Sequence, residues 1–188
     1  IELDNNLITA KNLFGETYVA FGKYNEALEI FSHNLKQAEK QNNKQEIANC
    51  LRRFSGTYHQ TGEYQKAIEF SMRSIEIYQE IGNKSMLGSA LGNAGNCYRK
   101  DGDYENGLDY LTRSLKVFEE IGDKQGIGWA LKEIGNVYSG TGDYEKNVDY
   151  HNRALQIFEE IGYKRGIGNL LNDSSLQYKR IGNYDELQ

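Results

Sequence analysis

The sequence predicts an all-α protein, an α-solenoid of antiparallel helix pairs. Three observations predict it. Gly-x-Tyr tripeptides recur every 40 residues, at Gly22-Lys23-Tyr24, Gly62-Glu63-Tyr64, Gly102-Asp103-Tyr104, Gly142-Asp143-Tyr144 and Gly182-Asn183-Tyr184. A second Tyr keeps the same step at Tyr18, Tyr58, Tyr98, Tyr138 and Tyr178. Between these marks the apolar residues follow a helical period, and the chain of 188 residues contains no Pro to break it. Several markers sharing one period indicate stacked units of one supersecondary type.

The first helix of each unit is legible in Gln125 to Ser139. Ile127, Leu131, Ile134 and Tyr138 stand at steps of four, three and four, so they share one face. Leu87, Leu91, Ala94 and Tyr98 repeat the row one unit earlier, and Ile47, Leu51, Phe54 and Tyr58 two units earlier. A small residue adjoins the row each time: Ser55, Gly95, Gly135 and Ser175. Gly inside a helix costs about 1 kcal/mol against Ala. Its recurrence predicts a point where a neighbouring helix passes close. Gly22, Gly62, Gly102 and Gly142 suit helix ends with positive φ, and Asp103 and Asp143 favour the start of the next helix.

The second helix carries Leu108, Leu111, Leu115 and Phe118, matched by Val148, Leu155 and Phe158 one unit later. It ends at Ile81-Gly82, Ile121-Gly122 or Ile161-Gly162. Short connections place consecutive helices side by side and antiparallel. One pair cannot bury both faces, so the pairs stack into a single array over residues 1–188, a right-handed superhelix with a concave side. Its units run approximately 5–44, 45–84, 85–124, 125–164 and an incomplete 165–188. The interrupted fifth unit, with no evident polar cap, is expected of a piece of a longer chain or of an end covered in an oligomer.

Composition narrows the function classes. Net charge is -5, with cations scattered among acids. No basic stripe suits nucleic acid, and no apolar run is long enough to span a membrane. Cys50 and Cys97 are too few and too separated for a disulfide framework or a zinc site. Both are expected to be small buried residues in a reducing, cytoplasmic setting. His33, His59 and His151 share no spacing with carboxylates, so neither a metal site nor a triad is expected. Gly88, Gly92 and Gly95 mimic a phosphate loop only superficially. No enzyme activity and no cofactor are expected.

The run Leu91-Gly92-Asn93-Ala94-Gly95-Asn96-Cys97-Tyr98 with Gly102-Asp103-Tyr104 resembles the tetratricopeptide repeat. So does Leu131-Lys132-Glu133-Ile134-Gly135-Asn136-Val137-Tyr138 with Gly142-Asp143-Tyr144. Standard repeats of that family have 34 residues. The longer step resembles its long-helix branch, as in LGN/Pins-like scaffolds, kinesin light chains and bacterial signalling proteins. Two departures stand out. The family's small Ala, kept at Ala27 and Ala67, becomes Gly107 and then Asn147. His151 falls where a large apolar residue is usual, so looser packing is expected in the fourth hairpin.

The resemblance implies a concave groove, lined by the first helices, that binds a protein or peptide. Helical geometry places Asn49, Arg53, Asn93, Asn96, Lys100, Trp129, Glu133, Asn136, Asn169 and Asp173 there. An Asn amide both donates and accepts, so a row of them can grip a peptide backbone. The same Asn residues could instead bridge neighbouring repeats. Trp129 is either a binding anchor or an inter-helix filler. Glu133 and Asp173 stand where the family's carboxylate-binding members are basic, so repulsion of a carboxylate is expected. The alternative to a peptide-binding scaffold is a self-association or sensor module of a larger signalling protein.

Overall fold

A computed structural model describes the backbone of residues 2–173 and the side chains of residues 10–173. Among these residues lie four complete helical hairpins. They are α1 (Glu2–Ala20) with α2 (Tyr24–Lys40), α3 (Lys44–Thr61) with α4 (Tyr64–Glu80), α5 (Lys84–Asp101) with α6 (Tyr104–Ile121), and α7 (Lys124–Thr141) with α8 (Tyr144–Glu160). Helical backbone resumes over 164–173.

The stops and starts follow the repeat. Gly62, Gly102 and Gly142 have φ of 81°, 92° and 83°, the left-handed conformation that Gly adopts without strain. There the chain turns back on itself. The amides of Glu63, Asp103 and Asp143 donate to the carbonyls of Tyr58, Tyr98 and Tyr138, each at 2.9 Å, closing the free helix end. The Asp103 and Asp143 carboxylates then accept from the amides of Asn106 (3.1 Å) and Lys146 (3.2 Å). Between hairpins Asn43, Asn83 and Asp123 cap the next helix in the same way. Asn42, with φ 51°, stands where the later units have Gly, a substitution that Asn tolerates better than other side chains. Asn83 also donates to Gln45 Oε1 at 2.9 Å, which links the starts of α3 and α5.

The small residues of the first helices lie where each hairpin crosses itself. A side chain at Gly15 would put its Cβ 2.4 Å from the Phe31 ring, one at Gly95 2.7 Å from Leu111 Cγ, and one at Gly135 2.5 Å from the His151 ring. In the second hairpin both partners are small, and Ser55 and Ser71 share a 2.6 Å hydrogen bond. The third hairpin closes furthest: a Cβ at Gly95 would also meet the Gly107 carbonyl at 2.9 Å. Each large residue on one helix is thus matched by a missing side chain on the other.

His151 is filled in rather than loose. It is 5% exposed, and Asn147 beside it is 1% exposed. Asn147 donates to the Gly135 carbonyl at 2.8 Å, and His151 Nε2 lies 3.1 Å from Asn136 Oδ1. Polar atoms satisfied across the crossing replace the expected apolar contact. Val148 leaves the apolar row predicted for it and is exposed. Cys50 and Cys97 are buried and free, as expected, and burial raises their thiols to about 11 and about 12.

Two substitutions separate crowding from helix propensity. Gly95→Ala should lower the urea midpoint, because overpacking costs about 1–3 kcal/mol and the propensity gain returns only about 1. Gly56→Ala, in α3 with nothing within 4 Å of the added Cβ, should raise it, by up to about 1 kcal/mol. Equal responses in urea denaturation would exclude the crossing as the cause.

Burial pushes His151 below its ordinary pKa of 6.5, against the pull of the Asp173 carboxylate, a hydrogen bond to the Lys132 backbone and the Glu133 carboxylate. Only the unfolded chain takes up this proton as the pH first falls through 6.5, so stability is lost in that direction. His151→Leu, which copies Leu111, should make the urea midpoint less sensitive to pH between about 7.5 and 5.5, above the carboxylate range. An unchanged slope would contradict this assignment.

Candidate functional site: the concave face

The helix contacts define which side is concave. Each first helix touches the next one, α1 on α3, α3 on α5 and α5 on α7, whereas no such contact joins successive second helices among the described residues. The first helices therefore line the inner radius of the curve. One column of this face is Leu13, Arg53, Asn93, Glu133 and Asp173; its neighbour is Asn12, Arg52, Gly92 and Lys132.

Most of the predicted groove residues are already occupied. Asn49 accepts from the Tyr78 hydroxyl at 2.8 Å and from Gln45 at 3.1 Å, and donates to Glu46 at 3.1 Å. Arg53 Nε lies 3.0 Å from Glu16. Asn96 accepts twice from Arg99, at 3.1 and 2.6 Å. Asn136 bridges repeats, donating to Glu133 at 3.3 Å and to Asp173 at 3.4 Å while its oxygen meets His151. Lys100 and Asn169 are exposed.

Glu133 is not the free negative charge expected of it. It is 4% exposed, with Lys132 Nζ at 2.9 Å and an Arg99 nitrogen at 3.4 Å. Asp173 takes the same Lys132 at 2.9 Å. Burial opposes the charge on Lys132, but Glu133 and Asp173 outweigh it and hold its pKa above the usual lysine value. The acids are thus neutralised inside the wall, so the carboxylate repulsion expected from sequence is removed at its source. Arg52, Arg99 and Lys132 lie on this face although sequence reasoning did not place them in the groove. For Arg52 and Lys132 the signal was their shared 40-residue column, one position before Arg53 and Glu133.

Three groups stay free. Among the described residues Arg52 has no carboxylate partner, only the Tyr78 hydroxyl beside it, and the Asn93 amide and the Trp129 indole N–H have no hydrogen-bond partner. They converge on a cavity of about 470 Å³ at the edge of the face, also lined by Ser89, Gln125 and Tyr163. Trp129 packs partly on Leu111, Ile134 and Val137. Its ring crosses Gly92, where any Cβ would come within 2.6 Å of it. The indole is therefore both filler and cavity wall. Burial, then Lys100 and Arg99, push His59 below its ordinary pKa, which keeps a neutral imidazole on this surface at neutral pH. Among the described residues no cluster of His, Cys, Asp and Glu could hold a metal, and no helix is long and apolar enough to cross a membrane.

The occupied and free Asn residues should respond differently. Asn136→Ala removes one part-buried partner from each of His151 and Asp173 and should cost about 1–3 kcal/mol. Asn93→Ala should stay within about 0.5 kcal/mol of the parent. Denaturation of the two variants side by side checks this, and equal losses would refute the division.

The sequence profile of the tetratricopeptide repeat matches residues 6–80 and 86–160. Comparison with curated proteins finds no match. Among solved structures the chain is similar to aspartyl phosphate phosphatase F from Bacillus subtilis, with TM-score 0.83 and 17% identity over 92% of this chain and 45% of that one. It is also similar to a signal transduction ATPase with numerous domains and a tetratricopeptide repeat sensor, from Pyrococcus horikoshii (TM-score 0.78, 20% identity, 91% of this chain and 27% of that one). A third is a Rap protein complexed with competence and sporulation factor (TM-score 0.75, 16% identity, 95% of this chain and 60% of that one). At these identities the likeness is one of fold. The chain spans less than two thirds of the length of each of the three.

Proposed function

Because the chain belongs to the tetratricopeptide-repeat family, we propose that it is an interaction scaffold whose concave face binds a polypeptide segment beside Asn93 and Trp129. The carrying observation is the cavity where unpaired polar groups meet an aromatic wall. Binding pockets commonly combine an apolar lining with a few convergent polar groups. Trp is favoured at interface hot spots. The Asn93 amide can hold both the donor and the acceptor of a peptide bond. Arg53, Asn49, Asn96, Glu133, Asn136 and Asp173 act in this reading as the rigid wall, and Lys100 and Asn169 as the rim. The complex of a Rap protein with competence and sporulation factor is a parallel for ligand binding by a similar fold, at 16% identity.

A second reading, self-association, draws on one observation. Leu13, Phe14 and Phe21 on and just after α1 are 64%, 63% and 77% exposed. Contiguous exposed apolar surface is a common mark of an interaction site. Sedimentation at rising concentration, with Leu13→Ser/Phe14→Ser as the control, separates it from the first reading.

Selection of random peptides on the intact chain tests the proposal. Clones selected by the parent should lose about tenfold or more in affinity for Asn93→Ala/Trp129→Ala, in the range of an interface hot spot, with an unchanged circular dichroism spectrum. Unchanged affinity would overturn it.

A further inference from the structure

The unpaired charges of the groove identify the chemistry of its ligand. The described concave face holds cations on several columns, and most have acids beside them: Arg53 has Glu16, Arg99 has Glu133, and Lys132 has Glu133 and Asp173. Arg52 and Lys100 have no carboxylate partner among the described residues. Arg52 borders the cavity; its Nε is buried without a hydrogen bond, and its neighbour Tyr78 donates its own hydroxyl hydrogen to Asn49. The opposite lining is mixed: Trp129, Phe118 and Tyr163 give it aromatic surface, beside Gln125 and the Asp123 carboxylate, whose charge is engaged at the positive end of α7, where it accepts from the Gly126 amide at 3.0 Å. Lys100 sits on the next first helix, eight residues beyond the level of Gly92, a rise of about 12 Å.

From this arrangement we infer that the groove selects an acidic peptide segment, with a carboxylate side chain on Arg52 and a large apolar side chain nearby against Trp129. The inference rests on the peptide-binding reading above and adds the chemical class of the ligand. A guanidinium whose remaining donors face a carboxylate forms the stronger, charge-assisted type of hydrogen bond. Lys100 meets a second acid further along the segment. The chain's net charge of -5 does not oppose this at close range. Screening confines charge effects to about 8 Å at physiological ionic strength, so the nearest unpaired groups decide. The departures from the repeat fit the same assignment. Gly92 replaces the cation that its column carries at Arg52 and Lys132, and the Trp129 ring lies in the space that it leaves.

The test uses the whole chain and fluorescein-labelled peptides, acetylated and amidated so that no terminal charge contributes. One set carries Glu and Asp among Leu and Phe; a second replaces each acid with Lys, and a third with Gln. The acidic set should bind at least about tenfold more tightly than either other set by anisotropy, with affinity falling as salt is raised. Arg52→Gln should remove most of that preference, Arg52→Lys should keep part of it, and Lys100→Gln should weaken binding about threefold. Because Arg52 is half-buried, melting curves confirm that each variant is folded, and Arg52→Lys reports on charge if Arg52→Gln unfolds. Equal binding by the Lys or Gln set, or a folded Arg52→Gln variant with the preference intact, overturns the charge assignment and leaves the groove reading standing. If none of the sets binds, both fall. Binding of a uridine oligonucleotide in place of the acidic peptides also overturns the inference.

Discussion

Each hairpin depends on one close crossing, and the volume available at that crossing is conserved by exchange. Gly15 faces Phe31, Gly95 faces Leu111, Gly135 faces His151, and Ser55 faces Ser71. Where a Gly on one helix gives up its side chain, the other helix supplies a large one, and where both residues are Ser they share a hydrogen bond across the crossing. Helical Gly has an intrinsic cost of about 1 kcal/mol, so its use at three of these four crossings shows that close approach outweighs propensity. Interiors are packed to crystal-like density, which leaves little room for any other solution.

The shape of the binding face follows from that crossing. With the hairpins closed, the first helices of adjacent units come into contact while the second helices stay apart, and the array curves toward the first helices. Capped helix ends then fix the phase from unit to unit. Exposed Lys–Glu pairs join the start of the first helix to the end of the second within each hairpin, Lys44 with Glu80, Lys84 with Glu120 and Lys124 with Glu160. Such surface pairs contribute little energy individually, at most about 1 kcal/mol each, so they reinforce a register that the core already sets.

Polar groups divide between wall and opening. The chain of Arg99, Glu133, Lys132, Asp173, Asn136 and His151 ties consecutive units together across the concave surface. A buried charge is tolerated only when paired, and here each acid has a cation within 4 Å. That satisfaction stiffens the wall and withdraws it from ligand chemistry. Asn93, Arg52 and Trp129, one column or one unit away, stay available because Gly92 opens the space between them.

Sequence alone determined the all-α class, the helix pairs, the turns at Gly62, Gly102 and Gly142, and the buried Cys50 and Cys97. These features depend on short-range periodicity and on φ preferences, which a one-dimensional pattern carries in full. It also assigned Asn93, Trp129, Glu133 and Asn136 to first helices, and they lie on α5 and α7. Tertiary structure decided which of them are free. Asn93, Asn96 and Asn136 look alike in the sequence, yet Arg99 occupies Asn96, and His151 and Asp173 hold Asn136. The partners of Asn136 stand 15 and 37 residues away and the Arg99 partner of Glu133 34 residues away, all brought to between 3.1 and 3.4 Å by the stack. The same distance dependence turned Glu133 from an expected source of repulsion into a buried, paired group, and left Arg52 as the unpaired cation of the cavity.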